Sequence, residues 1–291
     1  MIQLASKILT PTTQKALNDL QQKIDAEKAF NKKVAKAQSL WNSKGGTTGK
    51  KVFKIISKEL YSMCLYIGVC NYCEQSEAND IEHIYPKSFF PEYTFDWQNY
   101  LLACKQCNSA YKLDKCFVLD GNNNIVAVKR GTSPQHKVIA FLNPRLTKDN
   151  PSNFMLLDMQ TYRFILLPNL KKKDASKAQS TLDILQLNHR SILLQARKSA
   201  GIYYYQRLKL LIELQKAKTI AEIENLLTPY DDKIDKSLNL KDLKKALLDS
   251  FHIHISKYQH PSVWQSIKLI ESKVNTKWKA IFKQIPVTLT W

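Results

Sequence analysis

The sequence predicts an α+β protein that is mostly helical, with a small cysteine-rich core flanked by helical segments. Three observations support this prediction. Apolar residues recur every three or four positions over long stretches at both ends of the chain, which is typical of amphipathic helices. Short β-rich runs separated by turn residues lie between those stretches. Two Cys-x-x-Cys pairs, Cys70/Cys73 and Cys104/Cys107, enclose a further thirty residues.

The N-terminal region, residues 1–69, is predicted to form basic helices. Apolar residues between Thr12 and Leu40 have helical spacing, and they predict one long amphipathic helix with Thr12 and Thr13 as candidate caps. A glycine-rich loop follows at residues 42–49. No Gly-Lys-Ser/Thr sequence comes after a strand there, so a nucleotide-binding loop is not favoured. A second helix is expected from Lys50 to Val69, with Gly68 as its stop.

The four paired cysteines, Cys70, Cys73, Cys104 and Cys107, are predicted to bind one structural zinc ion. Each pair supplies two thiolates at a spacing that suits tetrahedral zinc, and four thiolates leave no open position for catalysis. A redox role for the pairs is the alternative. Because four of the six cysteines cluster in this way, the pattern points to metal in a reducing compartment and not to a disulfide framework.

The residues between and just after the two pairs suit phosphodiester chemistry. Glu82 directly precedes His83, Asn99 follows sixteen residues after His83, and Asn108 comes directly after the last cysteine. A neutral histidine can take a proton from water near pH 7, because its unperturbed pKa is about 6.5. Mg²⁺ accepts a carboxylate and an amide carbonyl while it keeps several waters. Neighbouring side chains on a strand point to opposite faces, so Glu82 and His83 need a twist or bulge to converge.

This order of residues resembles the three-part signature of the HNH endonucleases, whose ββα-metal fold grips one divalent ion. The resemblance implies that His83 is the general base and that Asn99 steadies the loop of that base. It also implies that Glu82 and Asn108 hold the metal, Mg²⁺ or Mn²⁺. The usual motif has Asp where this chain has Glu82.

Basic residues near the motif are the expected nucleic-acid contacts. These are Lys87 and Lys112, although the usual lysine of the family falls three residues after the last asparagine, where this chain has Tyr111. Asp80 is interpreted as a loop residue, with an accessory metal ligand as the alternative.

Residues 70–170 are predicted to form the HNH nuclease core together with the hairpins that follow it. An Asp-Gly-Asn turn predicts a hairpin over Phe117–Val128, and a polar Met-Gln-Thr turn predicts another over Phe154–Leu167. Residues 171–291 are predicted to form a helical C-terminal region. Its expected helices are Ala175–Leu187, Arg190–Ala217, Ile220–Leu227, Leu238–Phe251 and Ser262–Phe282.

The charge of the chain is the footprint expected of a protein that meets a polyanion. Lys and Arg total 44 against 25 Asp and Glu, which gives a net charge of +19. Residues 1–60 contain twelve Lys and four acidic residues, whereas residues 70–116 contain four Lys and seven acidic residues. The basic charge therefore flanks the predicted metal site, as it should if the flanks bind a phosphate backbone.

Hydrophobicity along the sequence indicates whether the chain folds and where the protein is located. Hydrophobic residues make up 44% of the chain, which argues against wholesale disorder. No apolar run reaches the eighteen or so residues that a membrane span needs, and the first residues lack the layout of a secretory signal. We expect a soluble, cytoplasmic protein with no membrane partner.

A finer resemblance concerns stretches inside and beyond the motif. It is to the HNH subunits of Septu antiphage systems and to retron-associated HNH proteins. The stretches that carry it are Cys70–Glu74, Ile81–Lys87, Trp97–Cys104, Leu142–Pro144 and Ala178–Asn188. The resemblance implies antiviral defence in bacteria beside an ATPase of the ABC/SMC type.

Two functions from different classes remain at this point. The first is a metal-dependent HNH endonuclease that hydrolyses phosphodiester bonds in DNA, with RNA left open as a substrate. The second is a zinc-stabilised module that binds nucleic acid or a partner without catalysis. Glu82, His83 and Asn108 together favour the enzyme, because a binding module needs no base beside a metal carboxylate.

Overall fold

Helices make up most of the described chain, and the strands form small two-stranded sheets, which confirms the α+β, mostly helical prediction. The computed structural model describes residues 1–64, 68–230, 234–235 and 237–291. The chain divides into two units. One contains Met1–Leu156 and Arg163–Leu193, and the other contains Leu157–Tyr162 and Leu194–Trp291. The three-part division at residues 69 and 170 stays a prediction.

The N-terminal residues of the first unit form two helices, α1 (Pro11–Asp25) and α2 (Phe30–Ser43), so the prediction of one long helix is wrong. The chain leaves the helical conformation before α2, at Ala29. Residues 26–29 contain neither Gly nor Pro, so the sequence gives no local signal for this break. The turn lets α1 and α2 pack on each other. Thr10, and not Thr12 or Thr13, caps α1, with Pro11 in the first helical position.

The next helix, α3, runs from Thr47 to Ser62 and buries its apolar face. It ends earlier than the predicted stop at Gly68, and residues 65–67 of the predicted helix lie outside the described residues. The glycine-rich loop separates α2 from α3 as predicted. Lys44, Gly45 and Gly46 all have positive φ in that loop, at 53°, 71° and 90°.

Two strands and one short helix follow in the order expected of a ββα core. Strands β1 (Asp80–His83) and β2 (Tyr100–Ala103) pair antiparallel, with His83 opposite Tyr100 and Glu82 opposite Leu101. The helix is a wide, π-type helix at Gln106–Lys112. All four residues of β2 are buried, so this small sheet is packed in the interior of the first unit.

Both predicted hairpins are present. Strands β3 (Phe117–Leu119) and β4 (Ile125–Ala127) pair antiparallel, and the Asp120 carboxylate accepts hydrogen bonds from the backbone of Asn122 and Asn124 in the turn. Strands β5 (Met155–Leu157) and β6 (Phe164–Leu166) form the other pair.

Helices account for most of the described residues after β6. Their bounds are α4 (Lys172–Leu185), α5 (Ser191–Lys216), α6 (Ile220–Leu227), α7 (Leu240–Ser256), α8 (Pro261–Ser266), α9 (Ser272–Val274) and α10 (Thr276–Gln284). The prediction of one helix over Ser262–Phe282 is wrong, because Asn275 is extended and its side chain caps α10. None of the described helices is both long and apolar enough to span a bilayer.

Candidate active site and zinc site

The four predicted zinc ligands lie together in the first unit. Cys70, Cys73, Cys104 and Cys107 are all buried, and their Sγ atoms lie within 4.8 Å of one another. The Sγ atoms of Cys73 and Cys104 are 3.9 Å apart. Tetrahedral zinc with Zn–S bonds of about 2.3 Å needs a separation of roughly 3.8 Å. The cluster therefore fits a zinc ion, and no other group of three or more His, Cys, Asp or Glu in the described ranges is close enough to share a metal.

A basic residue that the sequence analysis did not single out contacts this cluster. The Arg190 guanidinium donates to Cys107 Sγ at 3.3 Å and lies over the Tyr111 ring, 4.7 Å from its centroid. Four thiolates with one Zn²⁺ would carry two negative charges, and Arg190 would offset part of them. No motif marks Arg190, because it lies 83 residues from Cys107 in the chain.

His83 ends β1 and lies in a buried aromatic pocket. Its Nε2 is 3.0 Å from the Thr94 carbonyl oxygen, and the Tyr100 hydroxyl donates to that same oxygen at 2.6 Å. Because a carbonyl only accepts hydrogen bonds, this contact assigns the proton to Nε2 in the neutral ring. The other nitrogen, Nδ1, is then the one with a free lone pair. The ring is thus oriented so that Nδ1 can act as a base.

The surroundings of His83 favour its neutral form. Burial is the main cause that places its pKa well below the ordinary value, and the positive charges of Lys87, Lys112 and Lys44 lower it further. The Trp41 ring of α2 packs against the His83 ring with 4.2 Å between centroids and an interplanar angle of 69°. A histidine that is neutral at pH 7 is available to accept a proton.

Glu82 precedes His83 and contacts the short helix at Gln106–Lys112. Its carboxylate is buried and forms an ion pair with Lys112 Nζ, which also donates to the His83 carbonyl oxygen at 2.7 Å. Burial raises the pKa of Glu82, and the adjacent Lys112 ammonium opposes that rise. Lys112 is only 1% exposed, so the structure places this predicted nucleic-acid contact inside the protein.

Asn108 lies on the same short helix and contacts β1. Its Nδ2 donates to Asp80 Oδ2 at 3.1 Å, which leaves the side-chain carbonyl Oδ1 available for another partner. Asp80 belongs to β1 and not to a loop. Because alternate residues of a strand share a face, Asp80 and Glu82 both face the helix that carries Asn108.

Asp80 and Asn108 are in contact, and Glu82 lies two residues after Asp80 on the same strand. The carboxylates of Asp80 and Glu82 and the carbonyl of Asn108 are the donor type that Mg²⁺ and Mn²⁺ prefer. The donor set therefore fits a hard divalent ion. β1 pairs with β2 in regular register through His83, so the strand has no bulge at Glu82 and His83. The two side chains have different neighbours: His83 contacts Trp41 and Tyr100, and Glu82 contacts Lys112.

Asn99 holds the chain that follows His83. Its Oδ1 accepts from the Tyr85 N–H at 2.6 Å, and its Nδ2 donates to the carbonyls of Tyr85 and Tyr93 at 3.0 and 2.9 Å. The backbone N–H of Ile84 donates to the Asn99 carbonyl at 3.0 Å. Three of these four bonds tie Asn99 to the two residues directly after His83 and thereby restrain where the His83 ring lies.

Lys87 is half-buried near the His83 pocket. Its Nζ lies 5.8 Å from the Trp41 ring centroid, and burial is the first cause that lowers its pKa. The structure also brings Trp41 and Lys44 to this pocket, which the sequence analysis did not predict. Both lie about forty residues before His83, and spacing along the chain carries no signal of that contact.

Two comparisons with known proteins agree with this geometry. The model of the family described as HNH endonuclease matches residues 70–112, the segment that holds both cysteine pairs, Glu82, His83, Asn99 and Asn108. The chain is similar to the Septu protein PtuB of Bacillus thuringiensis, with 28% identity over 188 residues. That similarity covers 64% of this chain and 61% of the length of the relative.

Proposed function

We propose that this protein is a metal-dependent endonuclease that hydrolyses phosphodiester bonds in DNA. The observation that carries the proposal is the orientation of His83. Its Nε2 is bound to the Thr94 carbonyl, its pKa is lowered by burial, and its Nδ1 is left to take a proton from water. The HNH endonuclease match over residues 70–112 supports the same chemistry.

The chain supplies the remaining requirements of phosphodiester hydrolysis. Glu82 and Asn108, with Asp80 as a further oxygen donor, would hold Mg²⁺ or Mn²⁺. Such an ion stabilises charge on the phosphate and on the departing oxygen. Asn99 positions the loop after His83, and the cysteine cluster with zinc holds the helix that carries Asn108. In this proposal His83 accepts the proton of the attacking water.

The similarity to the Septu protein PtuB supports a role in antiviral defence. We propose that the protein works in the cytoplasm beside an ATPase subunit of the ABC/SMC type, as the resemblance of its motifs implies. The alternative function is a zinc-stabilised module that binds nucleic acid or a partner without cutting. The basic residues 1–60 suit this alternative as well as they suit the enzyme.

The metal requirement tests the proposal. Purified zinc-loaded protein should nick supercoiled plasmid DNA when Mg²⁺ or Mn²⁺ is added, and it should not nick the plasmid without either ion. A structured RNA treated in parallel reports on the second substrate class. Binding of plasmid without cleavage in either ion, both alone and with the ATPase subunit added, would favour the binding module.

A further inference from the structure

Lys44 lies beside the candidate active site, although it belongs to the loop after α2. Its Nζ lies 3.1 Å from the centroid of the Trp41 ring and 4.7 Å from that of Phe53. Lys87 Nζ lies 5.8 Å from the same Trp41 centroid. The Trp41 ring therefore lies near two ammonium groups. One belongs to Lys44, which follows α2, and the other to Lys87, which follows β1.

The same indole ring places these ammonium groups next to the proposed base. Trp41 packs on the His83 ring at 4.2 Å between centroids. The positive charges of Lys44 and Lys87 therefore lie near the ring of the proposed base.

In the described part of the chain neither Lys44 nor Lys87 forms an ion pair with a carboxylate, and Lys44 has no acidic group among the influences on its pKa. Glu82 and Asp114 act on the Lys87 ammonium without forming an ion pair with it, and their charges raise its pKa. Burial, and then the charge of Lys87, lowers the pKa of Lys44 to about 7. Two like charges held close together repel each other, and a bound phosphate would relieve that repulsion.

The backbone fixes Lys44 in this place. It has a left-handed conformation, with φ of 53°, and its carbonyl oxygen approaches Gly49 closely. A Cβ on Gly49 would lie 1.5 Å from that oxygen, so the loop has its present path only with glycine there. Lys44 therefore belongs to a specific loop structure in contact with Trp41, and not to a freely moving surface segment.

We propose that Lys44 is a phosphate-binding residue of the candidate active site, and that Lys44 and Lys87 together hold a backbone phosphate of the nucleic acid beside His83. The proposal rests on the proposed function for the class of substrate. It goes further in assigning the contact to one residue of the loop between α2 and α3. Trp41 is the positioning residue that the two lysines share.

Binding can be measured separately from cleavage. We would record the fluorescence anisotropy of a labelled 20-nucleotide DNA, single-stranded and duplex, at several NaCl concentrations and without added Mg²⁺ or Mn²⁺. Lys44→Met should weaken binding about tenfold, because it removes a charge-assisted contact to phosphate. It should also reduce the slope of log affinity against log salt by about 0.9 for duplex DNA, the value for one phosphate contact.

A matched control removes the same charge nearby. Lys51 lies on α3 and is exposed, so Lys51→Met should change affinity by less than about twofold. Lys44→Arg should retain most of the affinity. Equal effects of Lys44→Met and Lys51→Met on affinity and salt slope would overturn the proposal, and so would a parent protein that binds neither DNA.

The outcome is distinguishable from that of the proposed function. A parent that binds DNA but cuts nothing, with binding weakened selectively by Lys44→Met, supports the phosphate contact and counts against hydrolysis. A parent that cuts DNA and is affected equally by the two Met variants supports hydrolysis and overturns the role of Lys44.

Discussion

Replacement of Cys104 by serine is expected to abolish zinc binding and to unfold the ββα core. Cys104 directly follows β2 and lies two residues before the helix at Gln106–Lys112. Binding of structural zinc contributes about 10–16 kcal/mol in small zinc domains, whereas a whole domain is stable by only about 5–15 kcal/mol. Loss of one thiolate from a buried four-sulfur cluster should therefore remove most of the stability of the core.

The measurement combines zinc content with thermal unfolding. Elemental analysis should find about one zinc per chain in the parent and little in Cys104→Ser, since four thiolates bind one ion. The variant should lose its cooperative thermal transition. Cys64→Ser is the control, because Cys64 lies outside the cluster and is only half-buried. A parent without zinc, or a Cys104→Ser variant that melts like the parent, would contradict the zinc site.

Lys112→Met is expected to lower the free energy of unfolding by about 3–5 kcal/mol, because it leaves the buried Glu82 carboxylate without its cation. The pair is nearly inaccessible to water, with side-chain exposures of 2% and 4%. The variant also deprives the His83 carbonyl of its donor. The free energy can be measured by urea unfolding of the variant beside the parent.

A double variant separates the ion pair from mere loss of packing. Glu82→Gln combined with Lys112→Met removes both charges, so it should be more stable than Lys112→Met alone. Equal stability of the single and double variants would show that Glu82 does not depend on Lys112. Exposed Lys115 offers a matched lysine, and Lys115→Met should have little effect.

Local features of the sequence were sufficient to predict much of this structure. The cysteine spacing predicted a cluster that the structure contains, and the turn residues predicted both hairpins. Such signals are reliable because a turn depends on the few residues that form it, and because each Cys-x-x-Cys pair supplies two ligands from adjacent positions.

Features that depend on distant contacts could not be predicted in this way. The break between α1 and α2 contains no Gly or Pro, and it exists because the two helices pack on each other. The contact of Trp41 with His83 joins positions 42 residues apart, and it depends on the path of the chain from α2 through α3 to β1. The sequence does not reveal that Asp80 belongs to a strand, because β1 has only four residues and these are too few for a strand pattern to show.

The same limit applies to Lys112. Its position after the motif suggested a phosphate contact, whereas its burial on Glu82 is visible only when the helix lies against β1. Lys44 is the converse case, since it lies in a loop with no catalytic motif and is brought to Trp41 by the fold. A lysine that is close to the motif in sequence, such as Lys112, can therefore be buried away from solvent, and a lysine that is distant in sequence, such as Lys44, can lie beside the site.

Cleavage by His83 variants tests the central claim most directly. His83→Ala removes the proposed base, and His83→Gln removes it while an amide can still donate to the Thr94 carbonyl. The rate of plasmid nicking in Mg²⁺ or Mn²⁺ should fall by a factor of about 10²–10⁴ in both, the usual contribution of a general base. Zinc content and DNA affinity should stay near those of the parent, and His83→Gln should keep a higher melting temperature than His83→Ala, which leaves a cavity beside Trp41. Equal nicking rates in parent and variants would contradict the assignment of His83 as the base.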